Sequence, residues 1–197
     1  MQPQWERIQK EMVLPPSQIK YKMGGLLPSW RHFNDAVNSI RKPVQMGPEW
    51  MLAGVLSGRK IDDKIWITDP PASSFPACIA VKCVELQSHE LTPHYLNALQ
   101  EAVMVSGRNI AKTDVLLAIA GTLADLDLHQ FQEDLLGGNG KAAFRKDLQE
   151  CKYLNIRRLP TILFRTLANQ SLLVSGYQSY ESLRSIWKKL DTSSTPR

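Results

Sequence analysis

The junction Leu159-Pro160-Thr161 constrains this chain more than any other stretch. A helix-like segment ends near Leu154, and Pro160 then opens the apolar, β-branched run Thr161-Ile162-Leu163-Phe164-Arg165. Proline has no N–H to give to a ladder, so it sits at strand starts and on edges. Its ring pushes Leu159 into extended geometry. A cis Leu159–Pro160 bond would hold the neighbouring backbone in a tight shape of the kind that serves a purpose, whereas a trans bond would make a plain loop-to-strand proline.

The rest of the chain reads as scaffold around this junction, with strands toward the two ends and helices in the middle. Residues 4–12 carry Trp5, Ile8 and Met12 on one helical face, and Leu14-Pro15-Pro16 stops them. Residues 18–23 alternate polar and apolar side chains and read as a strand, ended at Gly24-Gly25 by a tight turn or a close backbone approach. Residues 29–46 are irregular. Residues 47–58 form a short helix with Pro48 in its first turn and Gly58 past its end, and residues 64–68 read as a strand or extended segment stopped by Asp69-Pro70-Pro71.

The middle is helical. Ser73 or Ser74 caps a helix running to Gln87, Thr92 caps the next, and Thr113 or Asp114 opens the apolar turn-and-a-half Val115 to Ala120. Asp127 starts another helix with Gln130 as its capping-box partner; Gly137-Gly138-Asn139-Gly140 breaks it, and residues 141–153 form one more. The end reads β-β-α. Strands at 161–165 and 171–175 flank a turn at 167–170, and Ser179 caps a helix carrying Leu183, Ile186, Trp187 and Leu190. The polar tail 192–197 is expected to fray.

Charge and cysteine usage narrow the function classes. Net charge is +5, yet residues 65–140 hold three Lys/Arg against nine Asp/Glu, so the basic excess lies at the two ends. No Lys/Arg cluster is interleaved with aromatics, which argues against nucleic acid and for a separate structural unit in the middle. Cys78 and Cys83 stand five apart on one predicted helix, about 140° around its axis, and cannot bridge. With Cys151 they read as small buried apolar residues, and the four histidines have no ligand spacing, so neither a metal nor a cofactor is expected. No apolar run approaches membrane-spanning length, and a cytoplasmic protein with no membrane partner is the expected class.

Taken in order, the elements resemble a thioredoxin fold with a helical insertion. Leu159-Pro160-Thr161 and its strand, followed by Leu173-Val174-Ser175-Gly176-Tyr177-Gln178-Ser179-Tyr180-Glu181-Ser182-Leu183, is similar to the C-terminal half of DsbA-like proteins. Tyr21-Lys22-Met23-Gly24-Gly25-Leu26-Leu27, Asp69-Pro70-Pro71-Ala72-Ser73-Ser74-Phe75-Pro76-Ala77-Cys78 and Ala80-Val81-Lys82 resemble the cytoplasmic dithiol–disulfide isomerase branch of that family. The resemblance implies an α/β fold: a thioredoxin-like domain of residues 1–68 and 155–197 with an all-helical insertion at 69–154. It also implies a first strand and a Cys-x-x-Cys a few residues before a tryptophan like Trp5. The sequence given holds neither. The helix at Gln4 looks cut, and the start is expected to lie upstream.

What the resemblance implies about the site follows from that departure. No catalytic residue is assigned, since no Cys-x-x-Cys thiolate is present. Leu159, Pro160 and Thr161 are the expected substrate-binding residues, with Ser73 and Ser74 lining the groove or, as the plainer alternative, simply capping a helix. The expected function is a thiol–disulfide oxidoreductase or isomerase relative without its redox motif, acting on an extended polypeptide or a thiol-containing substrate. One alternative is a redox-inactive, peptide-binding adaptor using strand addition; a further one is a glutathione-dependent isomerase of the kappa type. An unpaired sheet edge would need a substitute strand, an earlier start or a homodimer to cover it.

Overall fold

The computed structural model describes residues 2–12, 18–35, 38–166 and 169–192. The proline stop at Leu14-Pro15-Pro16, Leu167 and Ala168 of the expected turn, and the tail from Ser193 lie outside the described residues. The chain divides into two compact units, one of Met1–Ile19 with Lys152–Arg197 and one of Lys20–Cys151. Residues 20–68 thus group with the helices, whereas the division expected at 69 and 155 follows the insertion point of the resembled family and stays a proposal.

In the first unit, α1 (Gln2–Met12) and α9 (Tyr180–Thr192) pack with a hairpin of β1 (Thr161–Arg165) and β2 (Ser171–Ser175). The pairing is antiparallel, from Thr161 opposite Ser175 to Arg165 opposite Ser171. Residues 162, 164, 172 and 174 share one face by the two-residue strand period. Phe164 and Val174 from that face are buried with Ile8 and Leu183, and Trp5, Ile186, Trp187 and Leu190 close around them. The spacing 183, 186, 187 and 190 is the apolar stripe of an amphipathic helix, and each fully buried aliphatic side chain stabilises by about 1.5–3 kcal/mol.

The second unit is built on α4 (Phe75–Gln87), whose Ala77, Ala80, Val81, Cys83 and Val84 are all buried. Around it lie α5 (Leu91–Met104), α6 (Thr113–Ala120), α7 (Leu128–Gly137) and α8 (Asn139–Tyr153). Small residues let neighbours approach closely. A Cβ added at Gly140 of α8 would run into the Cys83 sulfur and stand 3.0 Å from the Ile79 carbonyl. Gly25 has φ +57°, and a Cβ there would meet Phe144 at 2.8 Å and Phe75 at 2.9 Å, so the Gly24-Gly25 pair marks a close approach. Two further helices precede α4: α2 (Met46–Ser57), entered through a 3-10 turn at Pro43–Gln45, and α3 (Ile65–Thr68).

Four local expectations are corrected. Residues 64–68 are not a strand: Ile65–Thr68 is a helical turn, because Ile65 and Trp66 are both buried against Trp30, Trp50 and Val103, and tertiary packing overrides the β-branched composition. Residues 18–23 join no ladder; the one sheet among the described residues has two strands, β1 and β2. An alternating pattern marks extended backbone, but a strand exists only where a partner bonds it. Thr92 does not cap α5: it lies inside the helix, whose N-cap position is Glu90, and its Oγ1 donates to the Ser88 carbonyl at 3.1 Å while Ser88 Oγ accepts from Leu91 N at 3.3 Å. Asp127 does cap α7, accepting from Gln130 N at 3.0 Å, but its own N–H is taken by Gln87 of α4, not by the Gln130 side chain.

What holds residues 22 and 23 is a buried carboxylate. Asp147 on α8 is 1% exposed, and it accepts from Met23 N at 2.9 Å, from Lys22 Nζ at 3.2 Å and from Lys82 Nζ at 3.0 Å. Lys82, itself buried on α4, is shared with Glu85. Removing one partner of a buried pair strands the other charge, at a cost of about 3–5 kcal/mol. Asp147→Ala is therefore expected to destabilise by about 3 kcal/mol in urea melts of the full chain, and Lys82→Met with Asp147→Leu to recover most of that loss. A melting midpoint for Asp147→Ala within error of the parent would show that the cluster contributes nothing net.

Candidate functional site

The connection from α8 to β1 is shaped by residues that leave few alternatives. Asn155 adopts φ +53°, a conformation asparagine tolerates because its side chain bonds locally, and its Oδ1 accepts from Arg157 Nε at 2.9 Å. The Leu159–Pro160 peptide is cis. On its far side Thr161 Oγ1 donates back to the Arg158 carbonyl at 2.6 Å and pairs with Ser175 Oγ at 3.1 Å across the hairpin. Gly176, with φ +85°, donates its N–H to the Pro160 carbonyl at 2.8 Å. Leu159, Pro160 and Thr161 are thus gathered at the mouth of the hairpin, with the Leu159 side chain 38% exposed.

The ladder's phase determines which backbone groups are spoken for. Pro160 O accepts from Gly176 N at one end, and Thr166 N donates to Gln170 O at 2.9 Å at the other. Hydrogen-bonded pairs alternate along an antiparallel ladder. Ile162 and Phe164 therefore turn their N–H and C=O groups to β2, while Thr161, Leu163 and Arg165 turn theirs to the opposite edge. Among the described residues no strand pairs with that edge.

Beside the hairpin, α1 and α9 are joined by a polar clasp. Glu11 accepts from the Tyr180 hydroxyl and from Arg184 Nε at 2.6 Å, and Arg7 lies 3.6 Å over the Tyr180 ring. The Tyr180 and Arg184 hydrogen bonds hold the Glu11 carboxyl below its usual range. Each group satisfies another, so the clasp is structural.

Ser73 and Ser74 belong to the other unit, and neither hydroxyl is idle. Ser74 Oγ accepts from Leu27 N at 3.0 Å and donates to Leu27 O at 3.1 Å; Ser73 Oγ reaches the same carbonyl at 3.1 Å and accepts from Phe75 N at 3.0 Å. They clasp the segment at Leu27 to the start of α4. Asp69, entering the same region, binds Lys112 at 2.6 Å and Asn109 at 3.0 Å, which together keep its carboxyl low. The Leu27 clasp was not legible in the sequence, where the serines read as groove-lining residues or as caps.

The thiols are in the wrong surroundings for nucleophilic work. All three cysteines are unpaired. Burial pushes Cys78 up to about 11 and Cys83 up to about 12, and Cys151 is raised by burial and by the neighbouring Asp147 and Glu150. A reactive cysteine needs the opposite: an electropositive, open setting that favours the thiolate. Among the described residues no group of three or more His, Cys, Asp and Glu side chains could hold a metal ion, and no helix is long and apolar enough to cross a membrane.

The sequence model of a family described as Thioredoxin matches residues 6–185. Among curated proteins, the chain is 31% identical over 150 residues to the ClpXP adapter protein SpxH of Bacillus subtilis, covering 74% of this chain and 50% of that protein. It is 26% identical over 164 residues to SpxH of Halalkalibacterium halodurans, covering 82% and 53%. The chain thus spans about half the length of the curated relatives it matches. Its fold is similar to the crystal structure of a candidate protein disulfide isomerase from Nitrosomonas europaea, with TM-score 0.76 and 19% identity over 98% of this chain and 90% of that one. It is also similar to the cytosolic disulfide reductase DsbM from Pseudomonas aeruginosa bound to GSH, with TM-score 0.63 and 18% identity over 87% and 84%. The family match and these likenesses show a thioredoxin-like fold.

The raised thiols carry a stability signature. Between the unfolded thiol value near 9 and the folded values of about 11 and 12, the unfolded chain has lost protons that the native chain still holds. Stability from this source is full below about pH 8.5 and falls as pH rises through that window. The thermal midpoint is expected to drop from pH 8.5 to pH 11, and Cys78→Ala with Cys83→Ala to flatten the drop. An identical slope in the double variant would assign it to other groups.

Proposed function

The chain belongs to the thioredoxin family, and from that premise we propose that its own residues hold an extended polypeptide along the outer edge of β1 and supply no thiolate. The observation that carries the reading is the phase of the hairpin ladder, which leaves the backbone groups of Thr161, Leu163 and Arg165 directed away from β2. A strand laid along such an edge gains affinity from main-chain hydrogen bonds and specificity from alternate side chains. Leu159, Pro160 and Thr161 form the entry to this edge, and Ser73 and Ser74, in the other unit, are kept as separate substrate-binding candidates. The SpxH relatives are described as adapter proteins, which supports a binding role. We place this activity in the cytoplasm, in line with the cytosolic description of the DsbM neighbour.

A second reading, a thiol–disulfide oxidoreductase or isomerase acting on a thiol-containing substrate, is favoured by the fold neighbours described as disulfide isomerase and reductase. It requires a thiolate beyond those that Cys78, Cys83 and Cys151 offer, and the edge of β1 would then present the substrate to it.

Leu163 provides a selective test. Its N–H takes no part in the β1–β2 ladder, so Leu163→Pro removes an outward donor while sparing the pairing. Fluorescence anisotropy with labelled, reduced and carboxymethylated α-lactalbumin is expected to show saturable binding to the parent chain, weakened about tenfold or more in Leu163→Pro, with far-UV circular dichroism unchanged. Equal binding by both proteins, or none by the parent, would sink the edge as the binding element. In the insulin-reduction assay with dithiothreitol, the parent chain is expected to leave the uncatalysed rate unchanged; acceleration would show that one of the three thiols is reactive.

A further inference from the structure

α2 departs from the rule that a surface helix turns polar side chains to water. It is apolar almost all round, yet only Gly47 among its residues is buried. Met51, Leu52, Val55 and Leu56 stand 65, 51, 80 and 53% exposed. Spaced i, i+1, i+4 and i+5, they form one continuous stripe along the helix. The helix itself is anchored: Trp50, on the inward side, meets Trp66 edge to face at 5.0 Å between ring centroids. A contiguous exposed apolar stripe on a well-seated helix marks an interaction surface.

The charges around the stripe indicate what fits it. Half-buried Glu49 flanks the stripe in the first turn, and exposed Arg59 and Lys60 follow the left-handed cap at Gly58. Two copies of α2 laid antiparallel about a point midway between Leu52 and Val55 bring Leu52 against Val55 and Met51 against Leu56. The same operation sets Glu49 of each copy beside Arg59 and Lys60 of the other, and it aligns the two helix dipoles favourably. A parallel pair would instead oppose Glu49 to Glu49 and the basic residues to each other. The stripe is therefore complementary to itself in one orientation.

We infer that this face of α2 docks a second copy of the chain, as an antiparallel helix pair about a two-fold axis. The inference rests on the second unit alone and stands or falls independently of peptide binding at β1. Sedimentation velocity on the full chain, from micromolar to near-millimolar concentration, is expected to show a monomer–dimer equilibrium, and Val55→Glu to raise the dissociation constant about tenfold or more. The orientation is tested by charge exchange. Glu49→Lys alone and Arg59→Glu with Lys60→Glu alone are each expected to weaken the dimer by a similar factor, because each opposes like charges twice. An equimolar mixture of the two is expected to restore it, since every contact in the mixed pair is again between opposite charges.

A parent chain that stays monomeric throughout would overturn the inference. So would a Val55→Glu variant that dimerises like the parent with native circular dichroism, which would place the interface elsewhere. Charge variants that weaken the dimer singly but fail to recover on mixing would rule out the antiparallel arrangement.

Discussion

The second unit depends on where the negative charge of Asp147 goes. A carboxylate this deeply buried is tolerable only with cations and donors around it. Lys22, Lys82 and the Met23 N–H supply them from two separate parts of the chain. The consequence is geometric. Residues 22 and 23, which join no sheet, are fixed against α8, and α8 is fixed to α4. Gly25 then brings the backbone within reach of Phe75 and Phe144, which stack edge to face at 5.0 Å. The polar anchor and the aromatic contact lie two residues apart, so the anchor sets the register in which the rings meet.

The same close packing explains why the cysteines are quiet. Cys83 lies under Gly140 at the α4–α8 contact, where a larger neighbour would not fit, and its thiol is held neutral by burial and by the charge of Asp134. Cys78, on the same helix, is governed chiefly by burial as well. Small size, not acidity, is the property of cysteine being used here. Cys83 and Cys151 are buried and Cys78 partly so. Any redox role has to be argued from residues other than them.

Much of the helical order was legible in the sequence because it is written in punctuation: Asp127 before α7, the glycines before α8, Pro160 before β1 and Ser179 before α9 are each a local signal with a local cause. Ser182 N does bond to Ser179 Oγ at 3.2 Å, as such a cap should. What failed to show was set by partners distant in sequence. Residues 64–68 have the composition of a strand, but Trp66 is claimed by Trp30 and Trp50, and the helix wins on packing. Residues 18–23 have the alternation of a strand, but alternation cannot report whether a neighbour exists to bond it. At the site, the Leu159-Pro160-Thr161 junction stood out by its chemistry. The Leu27 clasp did not, because nothing in Ser73-Ser74 specifies a carbonyl forty-six residues upstream.

The hairpin edge carries a different kind of information from a catalytic group. A nucleophile is specified by side chains and can be lost by one substitution, whereas a strand edge is specified by backbone and persists as long as the ladder's phase does. That phase is fixed at both ends, by Gly176 donating to Pro160 and by Thr166 donating to Gln170. A slip of one residue would exchange the two sets of backbone groups and would also turn Phe164 and Val174 out of the core. Burial of those two side chains with Ile8 and Leu183 therefore holds Thr161, Leu163 and Arg165 in their outward phase. Fold stability and the proposed recognition rest on the same constraint, seen from two sides of one strand.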